Sequence, residues 1–188
     1  LPEEKIIYFG DTARLPYGSK SKETVIRFSE QIIRFLRTKD VKAIVIACNT
    51  ASSFALDEVR KSEDIPIIGV INAGARAAVA ASKNGKIGVI GTEGTINSGT
   101  YAKAIMDMKP GVEVFGKACP LFVPLVENGY FAAGCEVTRL VAKDYLSAFD
   151  GKDIDTLILG CTHYPLLTEI VAEIMGEGVT LVSAGGES

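Results

Sequence analysis

Two cysteines in this 188-residue chain share a setting that thiol chemistry would use. Ala43-Ile44-Val45-Ile46-Ala47-Cys48-Asn49-Thr50 and Thr156-Leu157-Ile158-Leu159-Gly160-Cys161-Thr162-His163 have one form: an apolar strand, a small residue, cysteine, then hydroxyl or amide side chains opening a helix. Each thiol is thereby expected at the carboxyl end of a parallel strand, where open α/β sheets place their ligands. Helix N-termini favour anions and lower thiol pKa values, so a ligand carboxylate and a thiolate would both be stabilised there. Pro165 suits the first helical turn after Cys161. His163, the sole histidine, stands two residues after Cys161 as a candidate acid/base group. Cys119 and Cys135 lack this setting and read as small buried hydrophobes.

Positioning two such turns requires alternating strands and helices, and the chain has that pattern. Apolar runs predict strands over 6–9, 43–47, 65–71, 86–90, 112–115, 156–159 and 179–182. Residues 43–47, apolar throughout, read as a central strand covered on both faces. Val25, Phe28, Ile32 and Phe35 recur at helical spacing over 22–37, and further helices are expected over 51–60, 74–82, 95–108, around 125–127, over 136–149 and over 166–175. Such βα alternation predicts a parallel, doubly wound α/β architecture. A boundary is placed near Asn72-Ala73-Gly74, where small residues end a strand before a new βα series.

Composition narrows the function classes. The formal charge of −3 leaves no basic face for a phosphate backbone, so nucleic acid is not expected. No apolar run approaches the ~20 residues of a membrane helix, and no signal-peptide pattern opens the sequence. Four cysteines without close pairs suggest reduced thiols in a cytoplasm rather than disulfides or a metal site.

Three ordered motifs carry a resemblance. Tyr8-Phe9-Gly10-Asp11-Thr12-Ala13-Arg14-Leu15-Pro16-Tyr17-Gly18, Ala47-Cys48-Asn49-Thr50-Ala51-Ser52 and Gly160-Cys161-Thr162-His163-Tyr164-Pro165-Leu166-Leu167 resemble successive segments of bacterial glutamate racemase. Gly91-Thr92-Glu93-Gly94-Thr95 and Pro124-Leu125-Val126-Glu127-Asn128-Gly129 match further segments in the same order. The resemblance implies two pseudo-symmetric lobes, each a mainly parallel sheet flanked by helices, with the active site in the cleft between them. By that analogy residues 1–71 with 183–188 form an incomplete first lobe and 72–182 a second.

The implied activity is interconversion of L- and D-glutamate without cofactor or metal, supplying D-glutamate for peptidoglycan. Racemisation takes the α-proton from one face and returns one to the other, so an acid and a base must flank one carbon. The resemblance makes Cys48 and Cys161 that pair and His163 their acid/base helper. It gives Asn49, Thr50 and Thr162 to the substrate's carboxylate or ammonium, Pro16, Tyr17 and Gly18 to the pocket wall, and Thr92 and Thr95 to hydroxyls near the substrate. Glu127 is a candidate carboxylate behind these groups, with a solvated helix face as its alternative. Asp11 and Arg14 are expected to shape the Tyr17 loop.

The family's Asp-Ser-Gly segment and its closing tail have no match here, so a protein limited to these residues is expected to be inactive or unstable. A homodimer is also implied. Other readings are an aspartate or hydantoin racemase, an arylmalonate decarboxylase-like enzyme needing one thiol, and a small-ligand-binding module needing none. A Cys/His hydrolase is weakened because residues 161 and 163 are so close that their side chains are expected to point apart.

Overall fold

The computed structural model describes residues 3–185. A 3-10 turn at Thr12–Arg14 precedes α1 (Lys22–Arg37), and β1 (Ile44–Ile46), α2 (Asn49–Phe54), α3 (Leu56–Ser62) and β2 (Ile67–Gly69) follow. Next come α4 (Ile71–Ala81), β3 (Lys86–Gly91), α5 (Glu93–Asn97), α6 (Thr100–Met108), β4 (Glu113–Ala118), α7 (Phe122–Glu127) and α8 (Glu136–Leu146). After a second 3-10 turn at Ser147–Phe149 come β5 (Thr156–Gly160), a third at Tyr164–Leu167, α9 (Thr168–Met175) and β6 (Thr180–Ser183).

The strands form two parallel sheets, β1-β2 and β4-β3-β5-β6. Side chains alternate across the larger one. Ile87, Val89 and Ile158 pack with Ile71, Ala75 and Ala78 of α4 and Tyr101 and Ile105 of α6. Ile90, Leu157 and Leu159 pack on the other face with residues of α7, α8 and α9. Helices on both faces explain why every residue of β5 is buried and why its middle, Leu157-Ile158-Leu159, is apolar throughout. Each fully buried Ile or Leu there contributes about 1.5–3 kcal/mol of transfer free energy. At the amino end, Asp155 accepts the N–H groups of Lys83 and Asn84, both at 2.7 Å, which ties the turn before β3 to the start of β5.

The smaller sheet departs from its expected form. Its inner residues Ile44 and Ile67 pack with Ile33, Ala55 and Val59, but Val45 is 59% and Ile68 52% exposed, so β1 is covered on one face only. Residues 6–9, expected as a strand, pair with no sheet, and Tyr8 is 88% exposed. Strand propensity is local, whereas a strand needs a partner ladder. Ser21 caps α1 by accepting the Thr24 N–H. The buried stripe of α1 is Val25, Ser29 and Ile33, rotated from the expected one, and Phe35 instead meets Phe9 at 5.3 Å between ring centroids.

Several helix boundaries also moved. The helix expected over 95–108 is divided at Gly99, whose φ of 66° is left-handed. That expected over 51–60 begins at Asn49 and breaks at Ala55. Asn72, Ala73 and Gly74 lie in the first turn of α4 rather than at a strand end. Ser183 still pairs with Leu159 on β5, and residues 1–2 and 186–188 of the expected first lobe lie outside the described residues.

Candidate active site

The larger sheet runs outward from β3 to β4, then returns to place β5 on the other side, so the strand order reverses between β3 and β5. Ligands of open α/β sheets bind at the carboxyl ends of strands at such a point. Gly91 and Gly160 close those two strands as register partners, and Thr92 and Cys161 follow them. Only glycine fits at 160, since a Cβ there would lie 2.6 Å from the Ile90 carbonyl oxygen. Cys48 stands at the matching end of β1 and N-caps α2.

Both thiols depart from the expected direction. Burial is the largest influence on Cys48 and raises its pKa, although N–H groups of Ala51 and Thr50 pull it back in part. Burial likewise pushes Cys161 up to about 11, against N–H donation from His163, and charge on Cys48 raises it further. The helix-end donors are present as anticipated, but desolvation of a thiolate outweighs them. The two cysteine turns are joined in space by Tyr101, whose hydroxyl bonds Asn49 and whose ring lies against Gly160. Neither thiol is ionised to any large extent at neutral pH before a ligand enters.

Cys161 does not act alone. His163 Nδ1 lies 3.7 Å from its Sγ and 3.4 Å from Thr162 Oγ1, while the ring's Nε2 hydrogen-bonds Glu127 Oε1 at the end of α7. The side chains of residues 161 and 163 therefore face each other, which removes the reason for expecting them to diverge. Glu127 is half-exposed, and its hydrogen-bond partner is the imidazole. This order of carboxylate, imidazole and thiol can orient the ring and accept or return a proton at sulfur.

Hydroxyls join the turn after Cys48 to the turn after β3. Thr50 Oγ1 lies 2.8 Å from Thr92 Oγ1 and 3.4 Å from Thr95 Oγ1, and Thr92 also caps α5 by accepting the Thr95 N–H at 3.2 Å. All three threonines are buried. Asn49 accepts a 2.7 Å hydrogen bond from the Tyr101 hydroxyl.

The Pro16-Tyr17-Gly18 segment closes over the same place. The Gly94 N–H donates to the Gly18 carbonyl at 3.2 Å, and a Cβ on Gly18 would lie 2.5 Å from Thr92. Tyr17 donates to Asp11 Oδ2, which Arg14 pairs through Nε at 2.8 Å, with the guanidinium 4.2 Å above the Phe28 ring. Burial, followed by that carboxylate, raises the Tyr17 pKa, so the phenol stays protonated. Asp11 and Arg14 hold the loop. Leu15–Pro16 is cis. Among the described residues no three His, Cys, Asp or Glu side chains converge as a metal ion would require.

The profile of the Asp/Glu/Hydantoin racemase family matches residues 1–185. The chain belongs to that family. Among its racemase relatives, the glutamate racemase of Geobacter metallireducens is 54% identical over 188 residues, covering 100% of this chain and 69% of that protein. The glutamate racemase of Oceanobacillus iheyensis is 50% identical, with 100% and 68% covered. In structure, a glutamate racemase isoform of Bacillus anthracis superposes with a TM-score of 0.94 at 44% identity, covering 100% of this chain and 70% of that one. The Francisella tularensis glutamate racemase solved with D-glutamate gives 0.88 at 47%, with 96% and 66% covered.

Within this racemase-family chain, all the residues singled out by sequence fall around the two cysteine turns or the loop against them. Tyr101 escaped that reading. A buried aromatic at helical spacing looks like core, and nothing local announces that its hydroxyl reaches Asn49. No helix among the described residues is long and apolar enough to cross a membrane.

Proposed function

We propose that this chain is a glutamate racemase that interconverts L- and D-glutamate with two thiols and no cofactor. The observation that carries this reading is the pair of cysteines, each following a parallel strand of a different sheet, with Tyr101 reaching from the turn of one to the turn of the other. One thiolate removes the α-proton while the opposite thiol supplies a proton to the other face, and the roles exchange for the reverse reaction. The substrate ammonium brings a positive charge beside the thiols, favouring thiolate formation. Asn49, Thr50 and Thr162 are assigned to the polar ends of the substrate, Thr92 and Thr95 to hydroxyls beside it, and Pro16, Tyr17 and Gly18 to its enclosure. His163, backed by Glu127, carries protons to and from Cys161.

Residues 1–71 with 183–188, and residues 72–182, are proposed as two lobes closing on this substrate. The product would serve peptidoglycan synthesis in the cytoplasm, and a homodimer is the expected assembly, checked by sedimentation. The decisive experiment incubates the full-length protein with L-glutamate in deuterated water and follows circular dichroism, with Cys48→Ser and Cys161→Ser alongside. Each substitution is expected to abolish racemisation. Racemisation surviving both would refute the mechanism, faster turnover of aspartate would move the substrate, and binding without exchange would favour a ligand-binding module.

A further inference from the structure

Tyr101 has no part in the chemistry above, yet it touches both thiol turns. Its ring is 3% exposed within the core beside α4, where an aromatic needs no role beyond packing. Its hydroxyl leaves that apolar setting and makes a buried hydrogen bond to a residue 52 positions away, Asn49. Two glycines clear the ring's path. A Cβ on Gly74 would lie 2.9 Å from the hydroxyl, and one on Gly160 would lie 3.3 Å from Cε2. Asn49 follows Cys48 and Gly160 precedes Cys161, so one side chain spans the two turns.

The chemistry of an amide gives this contact a direction. Asn presents an acceptor at Oδ1 and two donors at Nδ2. Burial first, and then charge on Cys161, raises the Tyr101 pKa, so the phenol retains the proton it donates to Oδ1. Nδ2 makes no hydrogen bond to the described residues, yet it is not sealed away from solvent, since Ser53 Oγ alone among their buried side-chain polar atoms lacks a partner. A half-turn of the amide would exchange these ends and present a partial negative charge where the donors had been.

We infer that Tyr101 is a positioning residue that fixes the polarity of the Asn49 amide, leaving its NH2 to donate to a carboxylate of the substrate. The substrate half of this inference rests on the glutamate reading above. Tyr101→Phe keeps the ring and removes only the hydroxyl. It is expected to raise KM about tenfold, the loss of one hydrogen bond, while changing kcat less than about threefold. In an Asn49→Ala background the same substitution should leave KM unchanged within about twofold, because the group it acts through is gone. KM effects that multiply in the double variant would overturn the inference.

A second readout does not depend on turnover. The Asn49 side-chain NH2 resonances, assigned by their loss in Asn49→Ala, should shift when D-glutamate is added to the unsubstituted protein and should already be displaced in ligand-free Tyr101→Phe. Resonances indifferent to D-glutamate, or unmoved by the substitution, would overturn it. A protein that racemises no glutamate would defeat the functional reading, and the displacement of these resonances by Tyr101→Phe would then decide the role of Tyr101 by itself.

Discussion

Gly160→Ala tests whether the position of Cys161 is set by backbone packing at the reversal of strand order. The new Cβ would lie 2.6 Å from the Ile90 carbonyl oxygen, against an ordinary C···O separation of about 3.3 Å. Roughly 0.7 Å must therefore be found by displacement. The oxygen cannot swing aside, because Ile90 is paired to Leu159 and Gly91 to Gly160 in the ladder, and the Tyr101 ring, 3.3 Å away, blocks the other side. Overpacking of this kind costs about 1–3 kcal/mol, offset by about 0.4–1 kcal/mol from the stiffer unfolded chain. A shift of about 1 Å in a reacting group can cost about 10²-fold in rate, so kcat should fall roughly 10- to 100-fold. Circular dichroism of racemisation gives kcat, and thermal melting gives stability. Gly178→Ala is the control, since nothing lies within 4 Å of its Cβ, and it should keep full kcat and gain only the unfolded-chain contribution of about 0.4–1 kcal/mol. Full activity in Gly160→Ala would refute the argument.

With Cys161 pushed up to about 11 and Cys48 also raised, kcat/KM should climb with pH across the neutral range, as should iodoacetamide alkylation of Cys48 and Cys161 read peptide by peptide, apart from the more exposed Cys135; profiles flat from about pH 6 to 9 would contradict the thiol assignment. Glu127→Gln keeps an acceptor for His163 but removes its charge, and is expected to lower kcat/KM about 10- to 100-fold, by the same factor from either enantiomer because the two are of equal energy; an unchanged rate would leave Glu127 as surface only. For Asp155, burial acts to raise the pKa, but donation from Asn84, Ser82, Lys83 and Thr156 prevails and lowers it. Its stabilisation is therefore full above the unfolded value near 3.8 and lost as pH falls through the lower folded value. Asp155→Asn should melt earlier than the parent at pH 7, and the gap should close below about pH 4; a gap independent of pH would refute this.

The larger sheet was legible because β3 and β5 are buried on both faces, which forces unbroken apolar runs into the sequence. The smaller sheet was less so: residues 43–47 look the same as β5, yet only the packing reveals that Val45 faces outward. The cysteine turns were legible from one local pattern repeated. Their pKa values were not, since a helix end is a local feature while desolvation depends on everything that folds over it. The His163–Glu127 contact joins residues 36 apart, and Tyr101–Asn49 joins residues 52 apart. Neither spacing carries a signal: the first contact joins the helix after β4 to the turn after β5, and the second joins α6 to the turn after β1.

The central claim is that two thiols serve opposite faces of one carbon. The direct measurement is the α-deuterium content of both enantiomers in the first turnovers of L-glutamate in deuterated water, read by mass spectrometry after chiral separation. Two bases predict D-glutamate carrying solvent deuterium while the remaining L-glutamate stays almost free of it. Product formed with the original proton retained, or label appearing equally in both enantiomers from the start, would point to a single base and contradict the account.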